Sequence, residues 1–288
     1  MFEGVIPALI TPFDNELKVD FRGIEKNIEF LEKHVDAFVP AGTTGEAATL
    51  SYQEHIEVVK YVVEVSKLPV IGGAGSNSTR EAVFLAKEVE KAGANAAMLV
   101  TPYYNKPNPE GLFIHYKTVA EAISIPIIIY NVPSRTACNI SPDVVEKLAE
   151  IDNIIGIKEA SGNLKQVCEI IRRTPDNFIV LSGDDFLTLP ILCLGGNGVI
   201  SVAANVAPEL MKELYSAYKD GNLNKAKEIH YKLLPLYSAL FIDTNPIPVK
   251  KALELMGMPA GKPRPPLVEL SKDKTEKLKE VLKSLGLI

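Results

Sequence analysis

The sequence predicts a (β/α)8 barrel, the TIM-barrel class, followed by about three additional C-terminal helices. Strand-like and helix-like stretches alternate with a spacing of roughly 27 residues, the rhythm of βα units. Eight such units fit into about the first 220 of the 288 residues, which is the arithmetic of a closed barrel. An open doubly wound sheet also alternates β and α, but no Gly-x-Gly-x-x-Gly opens a helix after the first strand. Nor is there a Gly-x4-Gly-Lys-Ser/Thr phosphate loop, and Gly72-Gly73-Ala74-Gly75 is only a weak approach to either motif. The expected division is a barrel over residues 1–221 and a helical region over residues 222–288 packed on it.

Taken in order, residues 5–11 (VIPALIT) read as the first strand and residues 21–33 as the first helix. A second strand at 36–40 runs into Ala41-Gly42-Thr43-Thr44-Gly45-Glu46. The helix that follows, 52–66, carries Ile56, Val59 and Val63 at helical spacing. Strand three spans 69–73, with Asn77 and Ser78 capping a helix through residue 92. Strand four, 96–101, ends in Pro102-Tyr103-Tyr104-Asn105. Pro109 opens the fourth helix, where its missing N–H costs nothing.

Strand five, 126–130, is followed by Asn131-Val132-Pro133-Ser134-Arg135-Thr136, and Ser141-Pro142 starts the next helix. Ile154-Ile155-Gly156-Ile157-Lys158 reads as a short buried strand six closed by a lysine. Strand seven, 178–181, runs into Ser182-Gly183-Asp184-Asp185. Strand eight, 198–202, precedes a helix through residue 219. After Gly221 the pattern gives three helices, with Pro235 kinking the first and residues 263–266 spacing the last.

Composition excludes several classes of function. A net charge of −5, a pI near 5.6 and no basic run argue against a nucleic-acid surface. Cys138, Cys168 and Cys193 are odd in number and widely spaced, which suits reduced thiols in the cytoplasm better than a disulfide framework. His34, His55, His115 and His230 show no two-histidine ligand spacing, so no catalytic metal is expected. Met1-Phe2-Glu3-Gly4 lacks a basic leader, and no apolar run reaches membrane-spanning length. A cytoplasmic location is the expectation.

In such a barrel, chemistry gathers at the carboxyl ends of the strands. Thr43 and Thr44 follow strand two, Tyr103 and Tyr104 strand four, Tyr130 and Arg135 strand five, Lys158 ends strand six and Gly183 follows strand seven. A lysine amine denied water is more readily neutral and nucleophilic. Hydroxyls can pass protons, and a guanidinium binds a carboxylate in fork geometry. Each residue alone has a plainer account. Lys158 can snorkel to solvent, Gly42-Thr43-Thr44-Gly45 can be only a tight turn, Tyr103 and Tyr104 surface aromatics, Tyr130 a core ring, and Arg135 a surface charge. Their convergence on one barrel mouth favours a carbonyl substrate attacked by the amine.

The motifs Ala41-Gly42-Thr43-Thr44-Gly45-Glu46, Val100-Thr101-Pro102-Tyr103-Tyr104-Asn105, Tyr130-Asn131-Val132-Pro133-Ser134-Arg135-Thr136, Gly156-Ile157-Lys158-Glu159-Ala160-Ser161-Gly162 and Asn245-Pro246-Ile247-Pro248-Val249-Lys250 resemble those of the dihydrodipicolinate synthase family. That family belongs to the pyruvate-dependent class I aldolases, with N-acetylneuraminate lyase, and the likeness covers essentially the whole chain. The resemblance implies a Schiff base between Lys158 and pyruvate, with Tyr130 moving protons. It implies a relay in which Thr43 links Tyr130 to a Tyr104 from a neighbouring subunit. It further implies that Thr44 and nearby backbone N–H groups hold the pyruvate carboxylate, and that carbonyls near Gly183 and Ile200 line the pocket.

Arg135 would bind the carboxylate of the second substrate, L-aspartate 4-semialdehyde. The implied product is 4-hydroxy-tetrahydrodipicolinate, on the route to diaminopimelate and lysine, with no metal or organic cofactor. A homotetramer, a dimer of dimers, is implied as well. Sugar-acid aldolases resemble the chain at the lysine and tyrosine but generally lack Ser-Arg-Thr after Tyr-Asn-x-Pro. A retro-aldol lyase acting on a 2-keto-3-deoxy sugar acid is the alternative, and a catalytically silent carboxylate-binding barrel a more distant one.

In feedback-inhibited relatives, free lysine binds at a subunit interface. The matching positions are Ala47, Ala48, Tyr52, His55, Asn77, Glu81 and Tyr103. Ala47 and Tyr52 depart from the serine and histidine common in sensitive enzymes, so weak or absent inhibition is expected.

Overall fold

A computed structural model describes residues 2–288. Seven strands form one parallel sheet: β1 Gly4–Pro7, β2 Ile71–Gly73, β3 Ala96–Val100, β4 Ile127–Asn131, β5 Ile154–Glu159, β6 Ile179–Ser182 and β7 Gly198–Ser201. Their spatial order is β1-β7-β6-β5-β4-β3-β2. The segment expected as the second strand, 36–40, is not a regular strand, yet it closes the sheet. Its backbone meets β1 and the residues just after it through Asp36 N to Val5 O (2.9 Å), Val39 N to Pro7 O (3.0 Å) and Leu9 N to Val39 O (2.9 Å). It meets β2 and its approach through Phe38 N to Pro69 O (2.9 Å), Ile71 N to Phe38 O (2.8 Å) and Gly73 N to Pro40 O (3.1 Å). Single bridges rather than a long ladder form here because Pro7, Pro40 and Pro69 have no N–H to give. The cylinder therefore has eight staves, one of them irregular.

The helices are α1 Phe21–Leu31, α2 Tyr52–Val65, α3 Thr79–Lys91, α4 Pro109–Ala120, α5 Pro133–Thr136, α6 Pro142–Leu148, α7 Leu164–Arg173, α8 Thr188–Cys193, α9 Pro208–Lys219, α10 Leu223–Leu240, α11 Ile247–Leu255 and α12 Lys272–Ser284. Ser51 and Glu54 form a reciprocal capping box at α2, and Ser78 caps α3 by accepting from Glu81 N. The one-turn α5 and the short α8 were not expected from the pattern, being too brief to show a helical period. The α10 helix runs continuously across Pro235. No described helix is long and apolar enough to cross a membrane.

Inside the cylinder, Ile6, Val39, Ile71, Met98, Ile128, Tyr130, Leu181 and Ile200 pack into one cluster. Residues of opposite parity, such as Leu99, Ile127, Ile129 and Ile157, pack outward against the helices. Each such side chain removed from water contributes about 1.5–3 kcal/mol. The alternation breaks once. Between β4 and β5 the register slips, so that Ile127 faces Ile154 while Ile128 faces Gly156. Beyond this bulge Tyr130 pairs with Lys158 and Asn131 with Glu159.

Candidate active site

The slip in β5 turns Lys158 toward the interior at the carboxyl end of the barrel. Its side chain is 5% exposed, and Nζ stands 4.0 Å from the centroid of the Tyr130 ring. Lys158 is the penultimate residue of β5 rather than its last, because Glu159 continues the ladder to Ser182. Glu159 is buried on the outward face, where it accepts from Asn131 Nδ2 (2.9 Å), Gln166 Nε2 (3.2 Å) and Ser161 N (2.6 Å). Those bonds lock the strand one residue beyond the amine.

A cavity of about 270 Å³ opens above Lys158 and is lined by Thr43, Thr44, Tyr130, Arg135, Gly183, Phe186 and Asn245, among others. Gly183 leaves room for the amine's stem: a Cβ there would lie 3.0 Å from Lys158 Cγ and 2.7 Å from the Ala160 Cβ. Arg135 is exposed on α5 and donates from Nη2 to the Asn245 carbonyl at 3.2 Å. Asn245 Nδ2 in turn donates to Thr44 Oγ1 at 3.0 Å, while its Oδ1 is buried with no partner among the described residues. Burial pushes the Asp184 carboxyl at the rim upward. Amine, phenol, threonine hydroxyls and guanidinium thus face one small chamber, an arrangement suited to imine formation with a keto acid.

Two expected site residues are not among the side chains lining the chamber in the single chain. Ile200 lies within the interior cluster and does not line the chamber; Val202, two residues on, does. Tyr104 is 88% exposed, with φ 72, and lines neither cavity of this single chain.

A larger cavity of about 750 Å³ adjoins the first and shares Thr43, Tyr130, Val132, Arg135 and Asn245 with it. Of the expected effector positions, Ala47, Ala48, Tyr52, His55, Glu81 and Tyr103 line it. Asn77 does not, and donates instead to the Tyr103 carbonyl at 3.1 Å. Glu81 accepts from Ser76 Oγ at 2.8 Å, and its carboxylate beside the Tyr52 phenol pushes that phenol's pKa up. His55 Nε2 meets the Gly73 carbonyl at 2.6 Å, and burial lowers its pKa.

Glu46, Lys250, Asn245 and Glu159 went unassigned from sequence although each lies in a quoted motif. For Lys250 there was a signal: it falls between Ile247 and Leu253 on the apolar face of α11, where an ordinary lysine has no place.

The sequence model of the dihydrodipicolinate synthetase family matches residues 1–285. The 4-hydroxy-tetrahydrodipicolinate synthase of Archaeoglobus fulgidus is 75% identical over 288 residues, spanning all of both chains. The dihydrodipicolinate synthase of Acinetobacter baumannii, solved with pyruvate, is 43% identical with a TM-score of 0.97 over all of both chains. That of Cyanidioschyzon merolae, solved with lysine bound, is 41% identical with a TM-score of 0.97, covering 100% of this chain and 99% of the other.

Proposed function

The chain belongs to the dihydrodipicolinate synthetase family, and on that premise we propose that it condenses pyruvate with L-aspartate 4-semialdehyde to give 4-hydroxy-tetrahydrodipicolinate. One observation carries the chemistry: the Lys158 amine and the Tyr130 ring meet at the floor of a small chamber that also presents Thr44 and Arg135.

Lys158 Nζ attacks the ketone carbon of pyruvate, and the carbinolamine loses water to give an imine. Tyr130 carries the protons of addition and dehydration, with Thr43 beside it in the chamber wall. The positive imine acidifies the adjacent methyl group, which gives up a proton to become an enamine. The enamine carbon bonds to the aldehyde carbon of the semialdehyde, whose oxygen becomes the hydroxyl of the product. The amino group of the semialdehyde then attacks the imine carbon, closing the ring and expelling the Lys158 amine. The covalent imine is the electron sink throughout, so no step calls for a metal or organic cofactor.

The Thr43–Thr44 turn is suited to the pyruvate carboxylate, since oriented backbone N–H groups favour an anion. Arg135 suits the second carboxylate, which separates this substrate from a sugar aldehyde. The exposed Tyr104 supports an assembly, a tetramer of paired dimers, in which it completes a neighbouring site. The free thiols Cys138, Cys168 and Cys193 support work in the cytoplasm.

The test is borohydride reduction in the presence of pyruvate, followed by peptide mass spectrometry. A reduced pyruvyl adduct on Lys158 is expected, and turnover with aspartate semialdehyde rather than a sugar aldehyde. Folded protein with unmodified Lys158 would overturn the imine, and preference for the sugar aldehyde would overturn the acceptor.

A further inference from the structure

A buried pair of opposite charges holds the turn that carries Thr43 and Thr44. Glu46 ends this turn with a left-handed φ of 55, and its side chain is fully enclosed. Its Oε1 accepts from Lys250 Nζ at 2.7 Å, and its Oε2 from the Arg264 backbone N–H at 2.9 Å. Lys250 is 1% exposed and gives its remaining protons to the carbonyls of Thr11 (3.1 Å) and Lys262 (3.2 Å). Two more ties flank the pair: Thr11 Oγ1 donates to the Gly45 carbonyl at 2.6 Å, and Asn245 donates to Thr44 Oγ1. Asn245 and Lys250 bracket the start of α11, so one C-terminal element grips the turn at two points.

Stability alone is a weak reason to keep such a pair. Desolvating two ions offsets most of their attraction, and apolar side chains of equal volume serve a core as well or better. A buried ion pair with all three ammonium protons and both carboxylate oxygens engaged does fix geometry, because few arrangements satisfy it.

We propose that Glu46 and Lys250 are positioning residues for the keto-acid carboxylate, setting the Thr43–Thr44 turn at its working distance from Lys158 and Tyr130. This rests on the assignment of that turn to pyruvate, and the two can fail separately. If wild-type protein forms no Lys158 adduct with pyruvate and borohydride, the assignment itself falls, and the proposal with it.

Given a wild-type adduct, the deciding variant is Glu46→Gln/Lys250→Met, which keeps side-chain volume and removes both charges. It is expected to fold and to form the adduct fully at saturating pyruvate. The KM for pyruvate should rise about ten-fold, with the KM for the semialdehyde within about two-fold of wild type. Wild-type KM for pyruvate in folded protein, or equal rises in both KM values, would overturn the proposal. Should the double variant not fold, Glu46→Gln alone is judged by the same split. Failure of both to fold would make the pair a determinant of the fold and overturn its positioning role.

Discussion

Lys158 and Tyr130 are register partners on neighbouring parallel strands, and the lysine Nζ stands 4.0 Å from the centre of the tyrosine ring. The pairing depends on the slip at residues 154–156, which brings the lysine and the ring to one face of the sheet. One residue further on, Asn131 and Glu159 are bonded on the opposite face. The floor of the chamber is therefore built from backbone register, not from flexible loops, and holds its two reactive groups at a fixed separation.

Lys158→Ala should abolish the borohydride-trapped pyruvate adduct while leaving the barrel folded. Tyr130→Phe keeps the ring but removes the proton carrier, so adduct formation should slow by about 10²-fold or more. A timed borohydride quench reads the rate directly. Unchanged kinetics in the phenylalanine variant would remove Tyr130 from the proton path.

Arg135→Ala should leave the pyruvate adduct largely intact and weaken use of the semialdehyde. Losing a charge-assisted contact to a carboxylate implies a fall in kcat/KM for that substrate of about 10–100-fold. Parallel titrations of each substrate separate the effects. A variant blocked only in adduct formation would show that the guanidinium serves the keto acid.

The alternation of the eight units and the motif residues at their ends were legible in the sequence, because hydrophobic period and strand-end chemistry are local properties. The irregular stave at 36–40 was legible as a strand but not as a pair of bridges, since hydrogen bonding across the barrel depends on where distant prolines fall. Lys250 and Glu46 stand 204 positions apart in the chain, and nothing near either one announces the other. Ile200 packs in the same interior cluster as Tyr130, and the residue of this stretch that lines the chamber is Val202, two positions nearer the carboxyl end; how far up the barrel a residue stands is not a local property of the sequence.

The strap that grips the Thr43–Thr44 turn also makes an acid-stability prediction. Arg264 forks onto Glu54 at 2.6 and 3.0 Å, which with the Ser51 cap holds the Glu54 carboxyl down at about 2. A depressed folded pKa contributes stability that is fully present above the ordinary value of 4.5 and is lost as pH falls through about 2. After discounting for partial exposure, the contribution is about 1–2 kcal/mol. Thermal unfolding of wild type and Glu54→Gln should differ by several degrees at pH 7, with the gap shrinking below pH 4.5 to a small remainder by pH 2.5. A gap that stays constant over that range would exclude the ion pair as its source.

Tyr104→Phe should slow turnover without lowering the unfolding temperature, because it removes one hydroxyl from a residue that is 88% exposed in the single chain. A role in a neighbouring site requires contact between chains, so activity should also fall on dilution below the assembly's dissociation constant. Light scattering alongside the assay reports both. Full activity as a monomer, or in the phenylalanine variant, would exclude the shared relay.

Inhibition by free lysine should be weak or absent. Glu81, the carboxylate best suited to an amino acid's ammonium group, already accepts from Ser76 and lies beside the Tyr52 phenol. A ligand's ammonium group must share the carboxylate with Ser76 and make room beside the phenol before it gains affinity. The His55 Nε2 proton is given to the Gly73 carbonyl, and Ala47 offers no hydroxyl. Steady-state rates should therefore change less than about two-fold at ~1 mM L-lysine, a concentration that would saturate a site of micromolar affinity. Tyr52→His, which removes the phenol from Glu81, should increase sensitivity. Strong inhibition of the wild type at submillimolar lysine would show that the Tyr52–Glu81 contact yields to the ligand.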